Sequence, residues 1–137
     1  MDIRYPAIIE QQGTGFFVQF VDLPDTFTEG ATLEEALFNA AEALSAMLDW
    51  HLDQGHSLPE PGTGLKDAHY IAPAAKTQAA LLVRRARGSR PLSEVARAMH
   101  TSWPAAQRLE DPSHSPSLKQ LERAAAALGK RLVLVFE

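Results

Sequence analysis

Three carboxylates fall within eight residues of one another, Asp22, Asp25 and Glu29. Such a group could hold a divalent ion and direct water at a phosphodiester. A two-metal site needs a second acidic cluster on another element, and none sits at ligand spacing. Turn chemistry explains Asp beside Pro in Asp22-Leu23-Pro24-Asp25 without any metal. His51 and His56 are five apart, which does not put two imidazoles on one helical face as metal ligands usually are. His69 and His114 stand alone in expected loops, and no Ser-His-Asp arrangement stands out. The absence of Cys removes a thiolate metal site, a disulfide framework and a Cys nucleophile together. Gly13-Thr14-Gly15 is too short and wrongly placed to cradle a phosphate. The residues therefore point to binding rather than catalysis, with no enzyme activity, metal or cofactor expected.

Binding chemistry is written in the charge. The chain has 137 residues and a formal charge of −4, but the total hides a division. Residues 1–72 hold two bases against twelve acids, a net of −10. Residues 73–137 hold eleven bases against five acids, a net of +6. Asymmetry of this kind suggests two partners of opposite sign. Hydrophobic residues make up 45%, enough for a packed core. The start MDIRYPAIIE has neither a basic region nor an apolar signal core, and no run approaches eighteen apolar residues. With the missing Cys, this places the expected protein in the reducing cytoplasm, away from membranes.

The elements that must carry these charges are legible. Residues 3–10 and 15–21 read as strands joined by a Gly-Thr-Gly turn, with Phe16, Val18 and Phe20 on one face of the second. Pro6 cannot donate to a ladder, so the first strand is expected at a sheet edge or bulged. A third short strand fits Thr26 to Glu29. Thr32 and Glu35 form a capping box that opens a helix running to about Gln54, with Gly55 as its stop. Residues 55–73 are broken by Pro and Gly, with a short strand at His69 to Ala72. The boundary falls near Pro73, giving domains 1–73 and 74–137. Helices follow near 75–87, 91–99, 103–110 and 117–128.

The two short helices at 91–99 and 103–110, joined by His100-Thr101-Ser102, match a helix-turn-helix. Ala96 lies at the close crossing, and Val95, Met99, Ala106 and Leu109 fill the core between them. Ser102 is an N-cap, and Pro104 fits a first turn. The segment Leu92–Leu128 resembles the lambda-repressor-like helix-turn-helix family, through Val95-Ala96, Met99, Ser102, Pro104-Ala105, Arg108-Leu109-Glu110, Pro116-Ser117-Leu118, Leu121 and Ala126-Leu128-Gly129. His100 replaces the usual Gly of a left-handed turn, a modest cost for His, and Asp111-Pro112 departs from the family's next turn. The resemblance implies that Trp103, Gln107 and Arg108 face bases, where Arg matches guanine and Gln adenine. Ser102, Ser117 and Lys119 are candidates for phosphate contact. Arg84, Arg85, Arg87 and Arg90 either follow the DNA backbone or form a solvated helix end. The apolar run Leu132-Val133-Leu134-Val135-Phe136 reads as a strand with no local partner. Its cheapest partner is the same run of a second copy, giving a homodimer; the alternative is its own N-terminal sheet.

The N-terminal half resembles the HicB antitoxin family over residues 3–61. The resemblance rests on Tyr5-Pro6-Ala7, Gly15-Phe16-Phe17-Val18 with Phe20, Asp22-Leu23-Pro24, Phe27-Thr28-Glu29-Gly30, Thr32-Leu33-Glu34-Glu35-Ala36, Ala40-Ala41-Glu42-Ala43-Leu44 and Pro59-Glu60-Pro61. Val21 and Asp25 depart from it, at positions commonly Pro and Gly. The resemblance implies a partial RNase H-like domain without nuclease chemistry, and a partner in the small, basic, RNA-cleaving HicA toxin. Glu10, Asp22, Asp25 and Glu29 are the toxin-facing candidates. The expected fold is α+β: a β-β-β-α-β body followed by a helix-turn-helix unit that ends in a strand. The expected function is an antitoxin that neutralises a HicA-type toxin and represses its own operon on palindromic operator DNA, as a dimer or a pair of dimers. The alternative is a transcriptional regulator whose N-terminal domain senses a ligand.

Overall fold

The computed structural model describes all residues, 1–137, and shows an α+β fold. Strands β1 (Tyr5–Gln12), β2 (Gly15–Phe20) and β3 (Phe27–Gly30) precede helix α1 (Leu33–Gln54), and β4 (His69–Ile71) follows it. The sheet has the order β3-β2-β1-β4 and is antiparallel throughout. Side chains alternate across it. Tyr5, Ala7, Val18 and Phe20 pack with Ala36, Ala40, Leu44 and Leu48 of α1 in one core.

β1 is interior, contrary to the edge position expected from Pro6. The Pro6 carbonyl accepts from Val21 N at 3.0 Å, just past the end of β2. In an antiparallel ladder a residue's N and O point to the same neighbour. The missing Pro6 donor therefore falls where β2 has already left the ladder, and an interior Pro costs little there.

α1 begins and ends as its sequence dictates. Thr32 Oγ1 accepts from Glu35 N at 3.1 Å, and Gly55 closes the helix in the left-handed region at φ 70°. The cap at Thr32 is one-way; the reciprocal box forms instead at Ser117 and Gln120, the start of α5. Gly30 is required by contact: a Cβ there would lie 2.4 Å from Ala36 N. That close approach lets α1 turn back directly onto the sheet.

The helical half contains α2 (Ala75–Arg87), α3 (Leu92–Ala98), α4 (Trp103–Arg108) and α5 (Leu118–Ala127). Its core is Val83, Val95, Met99, Leu109, Ala124 and Leu128. α2 serves both halves, since Leu81 enters the first core and Val83 the second. The start of α2 is fastened to α1: Ala74 N donates to Ser45 Oγ at 2.8 Å, and Thr77 Oγ1 to Asp49 Oδ1 at 2.6 Å.

The expected final strand is not a strand in the single chain. Leu132–Phe136 have no ladder partner, and the sheet ends at β4 rather than taking them up. A strand exists through its pairing, and neither open edge of the sheet, at β3 or β4, pairs with this segment. Arg4 and Glu137 form an ion pair that draws its end toward the start of the sheet. No helix is long and apolar enough to cross a membrane.

Candidate functional site

Two surfaces carry the residues singled out by sequence. The first is built by α3, α4 and α5. Val95, Ala96, Met99, Ala106 and Leu109 are all buried, as the spacing of the two short helices requires. His100 turns the chain at φ 54°, in the left-handed region that His enters more readily than most non-Gly residues. Ser102 Oγ then accepts from Ala105 N at 3.2 Å and caps α4, with Pro104 in its first turn. Ser117 Oγ accepts from Gln120 N at 3.1 Å and caps α5.

Ser102, Trp103, Gln107, Arg108, Ser117 and Lys119 are all solvent-exposed. Trp103 is 47% exposed, so its indole is not absorbed by the preceding helix. Gln107, Arg108 and Lys119 make no side-chain hydrogen bond or ion pair within the chain. The two serine hydroxyls, by contrast, are already engaged as caps.

The three arginines at the end of α2, and Arg90 just beyond it, behave differently from both readings given them. Arg87 forms a two-point ion pair with Glu110, Nε to Oε2 at 2.6 Å and Nη2 to Oε1 at 3.0 Å. Both side chains are largely buried, and this pairing holds the Arg87 guanidinium above its ordinary pKa. Arg84 donates to the His56 carbonyl at 2.8 Å, and Arg90 to the Ala86 carbonyl at 2.7 Å. Arg85 lies over the Tyr5 ring and donates to the Tyr5 hydroxyl and the Asp2 carbonyl. Tyr5 in turn donates to the Pro59 carbonyl at 2.8 Å, and burial raises its pKa despite the neighbouring guanidinium. These four cations tie structure together, and none is left as a solvated row.

The second surface is the sheet face away from α1. The register places Glu10 opposite Phe17 and Phe17 opposite Glu29, so the three form one row across β1, β2 and β3. The next row holds Ile8, Gln19 and Phe27. Phe17 and Phe27 approach diagonally, with ring centroids 6.1 Å apart. Gln19 turns its amide away to the β2–β3 loop, donating to the Pro24 carbonyl at 3.1 Å.

The four acidic candidates thus separate. Glu10 and Glu29 share the open face. Asp22 accepts from Gly62 N at 2.9 Å and anchors the Pro/Gly-rich segment. Asp25 is exposed and borders a shallow groove on α1, lined by Ala43, Ala46, Met47, Trp50 and His51.

His51 and His56 meet, although their spacing excludes a shared helical face. The left-handed turn at Gly55 folds the chain back, so the two Nδ1 atoms lie 3.0 Å apart with Trp50 against both rings. Burial and the neighbouring His56 lower the His51 pKa, with Asp25 opposing. No third ligating side chain joins them. The only sequence signal for this pair was Gly55 itself, which marks a reversal but not its direction.

Comparison with known proteins agrees with this architecture. A family model described as the HicB-like antitoxin of bacterial toxin–antitoxin systems matches residues 4–79. Antitoxin HicB 2 of Photorhabdus laumondii subsp. laumondii is 35% identical over 98% of this chain and 96% of its own. Antitoxin HicB 1 of the same organism is 30% identical over 99% of this chain and 88% of its own. Antitoxin HicB of Escherichia coli K12 is 29% identical over 98% and 99%. The similarity runs through both halves, so the chain belongs to the HicB antitoxin family of bacterial toxin–antitoxin systems.

Proposed function

We propose that this chain neutralises a HicA-type, mRNA-cleaving toxin with its N-terminal half and represses its own operon with its C-terminal half. The division lies near residue 73, where the charge changes sign. The observation that carries the reading is the condition of the two surfaces. Glu10 and Glu29 are exposed on one, whereas Trp103, Gln107, Arg108 and Lys119 are exposed and unclaimed on the other.

A net charge of −10 attracts a basic RNA-binding protein and speeds encounter with it. The same charge repels RNA, which opposes a nuclease reading of the acidic half. In the basic half, α3 and α4 act as a helix-turn-helix. α4 presents its exposed residues to the major groove, with Arg108 and Gln107 bonding base edges and Lys119 a phosphate. A second copy pairs through Leu132, Val133, Leu134, Val135 and Phe136, which suits a two-fold-symmetric operator.

The test separates the two activities. Arg108→Ala should weaken operator binding by about 1–3 kcal/mol, read by gel shift at fixed salt. Neutralisation of a coexpressed toxin from the adjacent reading frame should be unchanged. Loss of both activities together would overturn the two-module division.

A further inference from the structure

We infer that the row Glu10–Phe17–Glu29 on the open sheet face is a seat for a guanidinium or ammonium group of the basic toxin. The inference rests on the toxin-binding reading and names the surface and the chemistry that serve it.

Three observations converge. First, the register puts a phenyl ring between two carboxylates on adjacent strands of one face. Neighbouring strands stand about 4.8 Å apart, so the acid backbones lie roughly 10 Å apart with the ring midway. Second, both carboxylates are exposed, and neither takes part in an ion pair within the chain. Third, the next row is open and carries Ile8 and Phe27 on either side of Gln19, whose amide is turned away to the Pro24 carbonyl. Phe27 is 57% exposed and Ile8 half-buried, as is Phe17 in the seat itself.

A cation over an aromatic face gains from the ring quadrupole, and more so when partly desolvated. A planar guanidinium on Phe17 can also donate to a carboxylate on either side, through long Glu side chains that lean inward. Phe27 and Ile8 then cover its alkyl stem and exclude water. The same row rejects other occupants. A nucleic-acid phosphate meets two negative charges. A second copy of this chain, face to face, sets Glu against Glu. A basic protein partner is the one that satisfies ring and carboxylates together. Asp22, held by Gly62, and Asp25, on the α1 groove, lie outside the seat.

The experiment uses the full chain and the toxin of the adjacent reading frame, with association and dissociation rates measured at low and physiological salt. Glu10→Gln with Glu29→Gln should weaken binding at least 10-fold and flatten its salt dependence. Asp53→Asn with Glu60→Gln removes the same charge elsewhere and should change affinity less than about 3-fold. Phe17→Leu keeps the bulk but loses the quadrupole, and should raise the dissociation rate several-fold. Equal effects of the two charge pairs would overturn the seat, leaving only general attraction. If the wild-type chain does not bind the toxin at all, the toxin-binding reading itself fails, a distinguishable result. Cross-saturation from toxin to unaltered chain gives an independent check. It should reach the ring protons of Phe17 and Phe27; transfer confined to Trp50 and the α1 groove would overturn the assignment.

Discussion

The sheet-and-helix body and the helical half solve the same problem with different means. In the first, eleven buried residues form one core, and the largest fully buried side chains include Tyr5, Phe20, Leu44 and Leu48. Every strand finds its partners within the chain. In the second, six residues make the core, none of them aromatic. A largely buried ion pair, Arg87–Glu110, clamps the end of α2 to the end of α4. Four consecutive apolar residues, Val133 to Phe136, stay more than half exposed. The first region pairs every strand and packs one large core, although Phe27, Phe38 and Trp50 stay exposed on its surface. The other depends on a polar tie and leaves an apolar segment for something else to cover. If the helical half reads a symmetric operator as a pair, as proposed, being incomplete alone couples its assembly to its function.

The sharpest way to break this contrast is to remove residues 131–137. Operator affinity should fall at least 100-fold as avidity is lost, and sedimentation should show a monomer that still binds toxin. A truncated chain that stays dimeric would show that the exposed run is not the missing piece.

A smaller effect should follow Arg87→Ala. It strands the Glu110 carboxylate in a largely buried position, which costs about 3 kcal/mol in urea denaturation. Arg87→Met with Glu110→Leu should recover most of that loss. If Arg87→Ala is neutral, the helical half does not rely on its ion pair.

The smallest effect belongs to the sheet-and-helix body, at the turn after α1. His51 titrates below its ordinary value of 6.5 because burial, and then His56, disfavour its charge. The folded chain therefore binds fewer protons than the unfolded chain between those two values. Stability should fall as pH drops through about 6.5, then level off once the folded pKa is passed. His51→Asn should flatten that part of the profile, as measured by thermal denaturation across pH.

Much of this molecule is legible in short stretches of sequence. The ends of α1, the positive φ at His100 and the caps at Ser102 and Ser117 all follow from residues within four positions of one another. The burial of Val95, Ala96, Met99, Ala106 and Leu109 follows from the spacing of two short helices that pack on each other. Pro6 misled because a missing N–H is harmless once the neighbouring strand has ended, and strand ends depend on partners far along the chain. The arginines at and just after the end of α2 misled for a similar reason. Four clustered cations look like a solvated or DNA-facing row, but Arg84, Arg85 and Arg87 find acceptors at Asp2, Tyr5, His56 and Glu110, distant in sequence, and only Arg90 bonds locally, to Ala86 and Arg87.

The sequence by itself determined the order of the elements up to α5 and the charge division, because propensity, capping and net charge are local or additive properties, and its ordered motifs carried the family resemblance. Tertiary structure alone decided which charges are free to act. Register set Glu10 and Glu29 on either side of Phe17, while Gly62 took up Asp22. The turn at Gly55 brought His51 to His56, and Glu110 absorbed Arg87. A charge can meet a partner only if it has not already met one, and that is settled by contacts between residues far apart in the chain.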